Sequence, residues 1–298
     1  MTSTDKPLVS IFCLAYNHEA YIEKAIESWL MQKTNFRFEA VIGEDNSTDR
    51  TREIVMRYAM EYPDIIRVIT SDTNVGMRAN AKRTKEACRG RYMAFCEGDD
   101  YWTDPRKLQQ QADFLEANPD FSICFHDAVV LWDDKSRPPS YFVPKDQKPV
   151  STTEDVIEKW FIPTASMMLR TEYNQQLPEW FKHVYNGDWA TQLILSTKGK
   201  IKYIDELMSV YRKNEGGMSG GPGRNTEFVN QKKAELLDFF NEYTHGKFEA
   251  QIKRKKSALE KETRAYLLRK NRKFLYWISN PVKTVMKISD KIKSRNAE

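Results

Sequence analysis

Short apolar runs alternate with amphipathic stretches over the first 130 residues, and this alternation is the strongest constraint on the fold. The apolar runs are typical of strands, and the stretches between them place apolar residues at helical spacing. The predicted strands are 8–16, 38–45, 65–70, 91–97 and 121–132, and the predicted helices are 19–32, 47–62, 77–90 and 104–119. This order predicts an α/β fold with a mostly parallel sheet and helices on both faces.

The remaining chain has a looser pattern. Segments 163–170, 187–199 and 200–212 predict a strand, a helix, and a strand with a turn. Five of the chain's twelve glycines lie in 214–225, which predicts a mobile loop or lid. A helical pattern then runs from Glu227 to the end, broken near Pro281. We therefore expect an α/β domain over 1–225 and a helical extension over 226–298.

Acidic residues follow two neighbouring strands of the predicted sheet. Glu44 and Asp45 end the second strand, and Glu97, Asp99 and Asp100 follow the fourth. Ligands of parallel sheets bind outside the carboxyl ends of the strands, so both clusters should face one crevice. Adjacent carboxylates repel unless a cation shares them, and an oxygen-only set suits Mg²⁺ or Mn²⁺, which bind carboxylates together with substrate phosphates. The pattern predicts a metal site for a phosphate-bearing ligand.

Helix capping is the alternative role for acidic and hydroxyl side chains at these positions. Asp104 is expected to cap the helix that follows it, and Ser47 or Thr48 to cap the helix over 47–62. Glu97 and Asp99 precede Asp104 by too many residues to serve the same helix.

Four stretches of the chain resemble family 2 glycosyltransferases with the GT-A fold, in a bacterial branch whose members contain EGDDYW. They are VSIFCLAYNHEAYIEKAIESWLMQ, FEAVIGEDNSTDRT, NVGMRANAKRTKEACRGRYMAFCEGDDYWTDPRKLQQQADFLEANP and the later NGDW. The resemblance covers about residues 8–215 and implies a Rossmann-like, mostly parallel sheet. It implies sugar transfer from a nucleotide-diphosphate sugar, by family habit UDP-linked, to an acceptor hydroxyl in bacterial surface polysaccharide or glycan synthesis.

The resemblance also assigns roles to individual residues. It implies that the nucleotide sugar is bound by Ala15, Tyr16, Asn17, Glu19, Asp45, Asp99 and Arg212. The DxD-type metal motif falls on Glu97, Asp99 and Asp100, with Asp100 as the residue that contacts Mn²⁺ or Mg²⁺. Asp188 takes the place of the catalytic base, and a single displacement would invert the anomeric configuration.

The chain departs from the family pattern at three positions. Glu44 and Glu97 stand where aspartate is frequent, which keeps the charge on a longer arm. Asn214 stands where a histidine is often found. Taken without the family, Asp188 reads as a helix N-cap.

Several roles stay open from sequence. Arg78 and Lys82 either contact phosphate or are exposed helix charges, and Trp102 lines the acceptor pocket or fills the core. The four cysteines lack a CxxC pair and a nearby histidine, which argues against zinc and predicts reduced, buried thiols.

The C-terminal segment is basic, with 18 Lys and Arg against 9 Asp and Glu from Thr226 onward. Lysines and arginines mixed with aromatic and aliphatic residues are typical of helices that lie on anionic bilayers. Such binding would be useful if the acceptor, a glycan or a lipid-linked molecule, is attached to a membrane lipid. Packing on the body or on a second subunit is the alternative. No window is apolar enough to span a membrane and no signal peptide is recognised, so we expect a cytoplasmic protein, peripheral at the inner face of the membrane if the tail binds lipid.

Three other functions are alternatives to sugar transfer. The absence of G-x-G-x-x-G after the first strand excludes a dinucleotide-dependent dehydrogenase. A sugar nucleotidyltransferase would need a glycine-rich basic loop where the chain reads LAYNHEAY. A non-catalytic scaffold with the same fold remains, although the acidic residues argue against it. The body carries no recognition motif for nucleic acid, so that partner is not expected.

Overall fold

The computed structural model describes residues 6–175, 177–214 and 225–279, with side chains up to residue 271. Its strands are β1 (Val9–Ala15), β2 (Phe38–Glu44), β3 (Ile66–Ile69), β4 (Tyr92–Phe95), β5 (Tyr101–Trp102), β6 (Phe121–Trp132), β7 (Ser140–Tyr141), β8 (Val150–Ser151), β9 (Met168–Arg170) and β10 (Lys200–Lys213). Its α-helices are α1 (Ile22–Leu30), α2 (Thr51–Glu61), α3 (Met77–Ala87), α4 (Lys107–Ala117), α5 (Thr153–Glu158), α6 (Thr171–Gln175), α7 (Gly187–Ser196), α8 (Thr226–Tyr243) and α9 (Glu249–Ser279). Short 3-10 turns cover Thr164–Ser166 and Glu179–His183.

The strands form one sheet in the order β3-β2-β1-β4-β9-β6-β10-β5. Strands β3, β2, β1 and β4 are parallel, and β6 is parallel to β10. The short β9 lies between β4 and β6 and is antiparallel to both, and β5 is antiparallel to β10. The predicted α/β fold with a mostly parallel sheet is confirmed.

Helices cover both faces of the sheet because successive strand residues point to opposite sides. On one face, Val9, Ile11 and Cys13 of β1 pack with α1, α2 and α4. On the other face, Phe12 of β1 belongs to a buried cluster that includes residues of α5, α7, α8 and α9. All four cysteines are buried and free, as predicted.

The C-terminal helices share the core of the sheet. Leu236, Phe240, Ile252 and Leu259 are buried in the same cluster as Phe12. The division at residue 225 stays a prediction, and the structure adds that α8 and the first half of α9 pack on the body. No helix in the described part of the chain is long and apolar enough to cross a membrane.

Two predicted elements differ from the structure. The segment predicted as a strand with a turn is the single 14-residue strand β10, with irregular pairing between Ile204 and Ser209. The C-terminal helical pattern is interrupted at His245 and Gly246, whose φ angles are 51° and 75°. The predicted break near Pro281 and most of the glycine-rich loop, 215–224, lie outside the described residues.

Helix α3 packs very closely on β2. A Cβ atom at Gly43 would lie 2.0 Å from Thr84 Oγ1 and 2.9 Å from Asn80 Oδ1. The Asn80 amide donates a hydrogen bond of 2.7 Å to the Gly43 carbonyl. Glycine is therefore the residue that lets this helix reach the sheet next to the acidic end of β2.

Candidate active site

The loop after β4 is fastened to the end of β1. Glu97 Oε2 accepts a hydrogen bond of 3.1 Å from Leu14 N, and Gly98 N donates one of 3.1 Å to Leu14 O. A Cβ atom at Gly98 would lie 2.6 Å from His18 Nδ1, so a side chain there would push the loop away from β1. The acidic loop therefore lies at the carboxyl end of the central parallel strand, as the sequence predicted.

The end of β10 holds the two aspartates of this loop. Asp100, which is 2% exposed, accepts a hydrogen bond of 2.8 Å from Arg212 N. Asp99 Oδ2 accepts one of 2.8 Å from Asn214 Nδ2, and Asp99 O accepts from the Arg212 guanidinium at 3.4 Å. Asn214, whose role was in doubt from sequence, is thus a direct partner of Asp99.

The Arg212 guanidinium lies between two tyrosine rings. It is 5.1 Å from the centre of the Tyr21 ring and 4.8 Å from that of Tyr101. Such cation–π contacts hold a guanidinium in place without neutralising it. The arginine therefore keeps its charge beside Asp99 and Asp100. Sequence reasoning missed both tyrosines, because aromatic residues near strand ends are common and only the fold brings these two together.

The carboxyl groups of this region act on one another. Burial raises the pKa of Glu97 to about 8, and the charges of Asp99 and Asp188 add to the rise. Burial, with Asp99 beside it, also raises the pKa of Asp100 well above its usual value. Repulsion of this kind acts over a short range, so the charges of Asp99 and Asp188 lie near Glu97, and that of Asp99 near Asp100.

Lys213 is a further charge in the crevice that sequence reasoning missed. Burial lowers the pKa of its ammonium group, against the charges of Asp100, Asp188 and Asp99, which raise it. Its Nζ donates a hydrogen bond of 3.0 Å to Tyr211 OH. The ammonium group is a local counter-charge for the three aspartates.

The donor set of the acidic loop fits a magnesium-type ion. Its side chains offer carboxylate oxygens, and within the described part of the chain one oxygen each of Glu97, Asp99 and Asp100 accepts a hydrogen bond from a protein donor. Over the described ranges, no three His, Cys, Asp or Glu side chains are already arranged around a common metal position. Ions of this type bind one or two carboxylates and complete their shell with phosphate and water.

The loops after β1 and β2 are joined by hydrogen bonds. Asp45 N donates a hydrogen bond of 3.1 Å to Ala15 O, and Thr48 N donates one of 2.9 Å to Asn17 Oδ1. Asn17 has a φ angle of 55°, in the left-handed region that asparagine tolerates. The Tyr16 side chain is 44% exposed beside this junction. The structure therefore brings Ala15, Tyr16 and Asn17 together with Asp45.

The predicted capping of α2 by Ser47 or Thr48 is wrong, because both side chains bond to Asn17 instead. Asp49 accepts from Thr51 N at 2.9 Å, and Glu19 accepts from Arg50 N at 3.0 Å. These two carboxylates serve the beginning of α2. The structure places Glu19, predicted to lie near the nucleotide base, in this capping contact.

The Asp45 carboxylate holds the turn before α3. Its two oxygens accept hydrogen bonds of 2.9 Å from Val75 N and from Gly76 N, and Arg83 lies 3.5 Å away. Asp45 is buried and lies on the β2 side of β1, whereas the acidic loop lies on the β4 side. The predicted base contact and the predicted metal contacts are thus at adjacent strand ends, one on each side of β1.

Asp188 lies in the first turn of α7. It is partly buried, and burial raises the pKa of its carboxyl group, whereas a hydrogen bond from the Thr164 hydroxyl opposes that rise. Its Oδ1 accepts from Trp189 N at 2.8 Å. The helix position expected of a cap is therefore combined with a carboxyl group whose charge contributes to the raised pKa of Glu97.

Trp102 fills the core rather than the acceptor pocket. It is 1% exposed, and its indole N–H donates a hydrogen bond of 2.8 Å to Ala165 O. Two cavities of the described chain lie elsewhere, one of about 560 Å³ between α1 and α2 and one of about 500 Å³ between α8 and α9. Neither is lined by a predicted site residue.

Similarity to known proteins agrees with this geometry. Residues 10–186 match the family model described as Glycosyl transferase family 2. An uncharacterized protein of Mycobacterium tuberculosis is 36% identical over 211 residues, which are 70% of this chain and 60% of that protein. TuaG of Bacillus subtilis, a putative teichuronic acid biosynthesis glycosyltransferase, is 30% identical over 70% of this chain and 79% of its own length.

Solved structures show the same fold. TarS 1–349 of S. aureus in complex with UDP-GlcNAc superposes with a TM-score of 0.60 at 20% identity, over 77% of this chain and 65% of that one. The mannosyltransferase PcManGT of Pyrobaculum calidifontis, in complex with GDP-Man and Mn²⁺, gives 0.58 at 16% identity over 95% and 84%. The fold is that of GT-A glycosyltransferases such as TarS, as predicted. With the acidic loop at the end of β4 and the family match over more than half its length, the chain belongs to glycosyl transferase family 2.

Proposed function

We propose that this chain transfers a sugar from a nucleotide-diphosphate sugar, UDP-linked, to an acceptor hydroxyl with inversion at the anomeric carbon. The observation that carries the proposal is the acidic loop after β4, where Asp100 and Asp99 are hydrogen-bonded to Arg212 N and Asn214 at the end of β10, with the charge of Asp188 near enough to raise the pKa of Glu97. A diphosphate needs positive charge near it and an acceptor hydroxyl needs a base, and this region has residues for both. The UDP-GlcNAc and GDP-Man complexes of the structural relatives support a nucleotide-sugar donor.

The nucleotide would lie over the junction of the β1 and β2 loops. Exposed Tyr16 offers a ring for the base. Asp45 is buried and both of its oxygens accept from the turn before α3, so it would have to receive a base N–H on a remaining lone pair. Asp99 would contact the ribose. Ala15, Asn17 and Glu19 lie in the same loop and would contribute to binding the nucleotide sugar.

Mn²⁺ or Mg²⁺, held by Asp100 with Asp99 and Glu97, would supply positive charge for the departing diphosphate. Arg212 adds a guanidinium fork that suits phosphate oxygens. Asp188 accepts the proton of the acceptor hydroxyl as its oxygen attacks the anomeric carbon from the face opposite the diphosphate. The bond from that carbon to the diphosphate breaks, and the diphosphate leaves with the electron pair.

The acceptor would be a glycan or a lipid-linked glycan in bacterial surface polysaccharide synthesis. The name of TuaG supports this class. The basic helix α9 would hold the enzyme on the cytoplasmic face of the membrane, where such an acceptor is found. Contact with a second subunit is the competing role for the same helix.

A thermal-shift panel tests the donor and the metal together. Nucleotide sugars with Mn²⁺ should raise the melting temperature of the wild type, and Asp100→Ala should abolish the Mn²⁺-dependent part of that rise. Asp113→Ala, an exposed change on α4, is the matched control and should keep it. Metal-dependent stabilisation that survives in Asp100→Ala would show that the metal assignment is wrong.

A transfer or donor-hydrolysis assay tests the reaction itself. Asp188→Asn keeps the shape of the side chain without its basicity, so it should lower kcat by about 10² to 10⁴-fold while the nucleotide sugar still binds. A wild-type protein that binds nucleotide sugars but neither transfers nor hydrolyses them would support the non-catalytic scaffold instead.

A further inference from the structure

Arg78, in the first turn of α3, holds the chain segment that precedes Asp188. Its guanidinium donates hydrogen bonds to Lys182 O at 2.6 Å, to Phe181 O at 3.5 Å and to Val184 O. These carbonyls lie at the end of the 3-10 turn Glu179–His183, and Phe181 O also accepts a hydrogen bond of 3.4 Å from Val184 N. One side chain from a distant element therefore satisfies the carbonyl end of the turn that leads into α7.

The opposite side of the same segment packs on α8. The Trp180 ring stacks on Phe239 with centroids 5.9 Å apart, and Tyr243 meets it edge-on at 6.0 Å. The segment is thus held by two kinds of contact, the hydrogen bonds of Arg78 and the aromatic packing of Trp180 on α8. Removing Arg78 would leave the segment held by this aromatic packing on α8 and by Val184, which is buried in the core.

Arg78 also lies two residues beyond the turn that Asp45 holds. Gly76 N donates to Asp45, and α3 begins at the next residue. The chain thus passes from the turn bonded to Asp45, the predicted nucleotide-base contact, to the guanidinium that holds residues 181–184 within two residues.

We propose that Arg78 is a positioning residue that keeps the Asp188 segment in register with the donor-binding turn. The inference rests on the proposed function, because it assigns Asp188 the role of base. Misplacing a reacting group by about 1 Å can lower a rate by roughly 10²-fold. Arg78 does not contact the donor, since its guanidinium is engaged by three protein carbonyls.

Steady-state kinetics of three variants test the role. Arg78→Ala should lower kcat by about tenfold or more with the donor KM within about twofold of the wild type, because an interaction that only places the base affects turnover and not donor binding. Arg78→Lys should restore part of kcat, as one ammonium group can still reach a carbonyl but lacks the fork. Lys82→Ala is the matched control on the same helix, where its exposed side chain pairs with Glu86 at 3.4 Å.

Two kinetic outcomes would overturn the inference. A donor KM that rises about tenfold with kcat unchanged would make Arg78 a donor contact. Wild-type values for both constants in Arg78→Ala would make it an ordinary surface charge.

Hydrogen–deuterium exchange of the full-length protein gives a readout that does not depend on activity. Amides of residues 181–188 should exchange faster in Arg78→Ala than in Lys82→Ala or the wild type, and equal exchange contradicts the inference whatever the kinetics. An inactive wild type in the donor panel would instead count against the proposed function, so the two failures are distinguishable.

Discussion

The Asp188 carboxyl group, the proposed base, has a pKa set by its local environment. Burial raises its pKa, and the Thr164 hydroxyl donates a hydrogen bond that favours the charged form and limits the rise. A base acts only when deprotonated, so turnover should fall as the pH drops through a pKa higher than that of an exposed aspartate. The pH at which kcat falls on the acidic side of the pH–rate profile, its acidic limb, therefore reports the environment of Asp188.

Removing the Thr164 hydroxyl should move that limb to higher pH. Thr164→Val takes away a donor to the carboxylate, which raises the pKa of Asp188 further and means that a higher pH is needed for full activity. The pH dependence of kcat measures the shift, and Thr164→Ser, which keeps the hydroxyl, should leave the limb in place. A valine variant with an unshifted limb would show that Asp188 is not the titrating base.

At the residue scale, the sequence alone indicates which carboxylates matter. Acidic side chains directly behind apolar strands are improbable as core residues, so the positions of Asp45, Asp99 and Asp100 in the chain mark them as site candidates. The partners of these residues carry no such mark, because Asn214 and Tyr21 are ordinary residue types whose roles depend on contacts between distant parts of the chain. The prediction that Ser47 caps α2 was wrong for a related reason, because its hydroxyl accepts a hydrogen bond from Asn17 N in a distant loop.

At the element scale, the contact between α3 and β2 is the tightest test of the packing. Gly43→Ala would place a Cβ atom 2.0 Å from Thr84 Oγ1. Overpacking of this kind typically costs about 1 to 3 kcal/mol, so the free energy of unfolding in urea should fall by that amount. The affected helix carries Arg78 and follows the turn held by Asp45, so donor binding should weaken as well.

A double-mutant cycle shows whether the clash is the cause. Thr84→Ala removes the nearest atom, so the pair Gly43→Ala/Thr84→Ala should be more stable than the sum of the single changes predicts, by roughly 0.5 to 3 kcal/mol. Strictly additive losses would locate the damage elsewhere on the face of the sheet.

The elements themselves were predictable to different degrees. Parallel strands and their helices have long, periodic patterns, so β1 to β4 and α1 to α4 matched the prediction. The antiparallel direction of β9 could not be predicted, because three residues carry no period and their pairing is set by β4 and β6. The break between α8 and α9 at Gly246 could not be predicted either, because a single glycine in a helical sequence pattern is often tolerated within a helix.

At the scale of the whole molecule, the distribution of charge predicts where the enzyme works. Arg269 and Lys270 are exposed on the far half of α9, beyond its packing on the body. Each cation near an anionic bilayer contributes about 1 kcal/mol, so Arg269→Glu/Lys270→Glu should weaken binding to phosphatidylserine-containing vesicles by roughly thirtyfold or more. Vesicle co-sedimentation of the full-length protein measures this.

The control for that experiment changes net charge equally at another place. Lys33→Glu/Lys198→Glu replaces two exposed lysines outside α9 and should keep most of the vesicle binding. Equal loss in both pairs would indicate a nonspecific effect of net charge. Loss of a dimer instead of vesicle binding in the α9 pair would favour the second-subunit role.

The placement of β9 between β4 and β6 has a consequence for how the protein emerges from the ribosome. The first four strands form a parallel half-sheet early in translation, but the edge of β4 stays unpaired until residues 168–170 are synthesised. Unpaired edges are templates for aggregation, and here the gap must persist while about seventy further residues are added. Nascent chains or fragments that stop between β4 and β9 should therefore need chaperones. Because β6 in turn lacks its parallel partner until β10 is synthesised, truncations placed after β10 should be far more soluble.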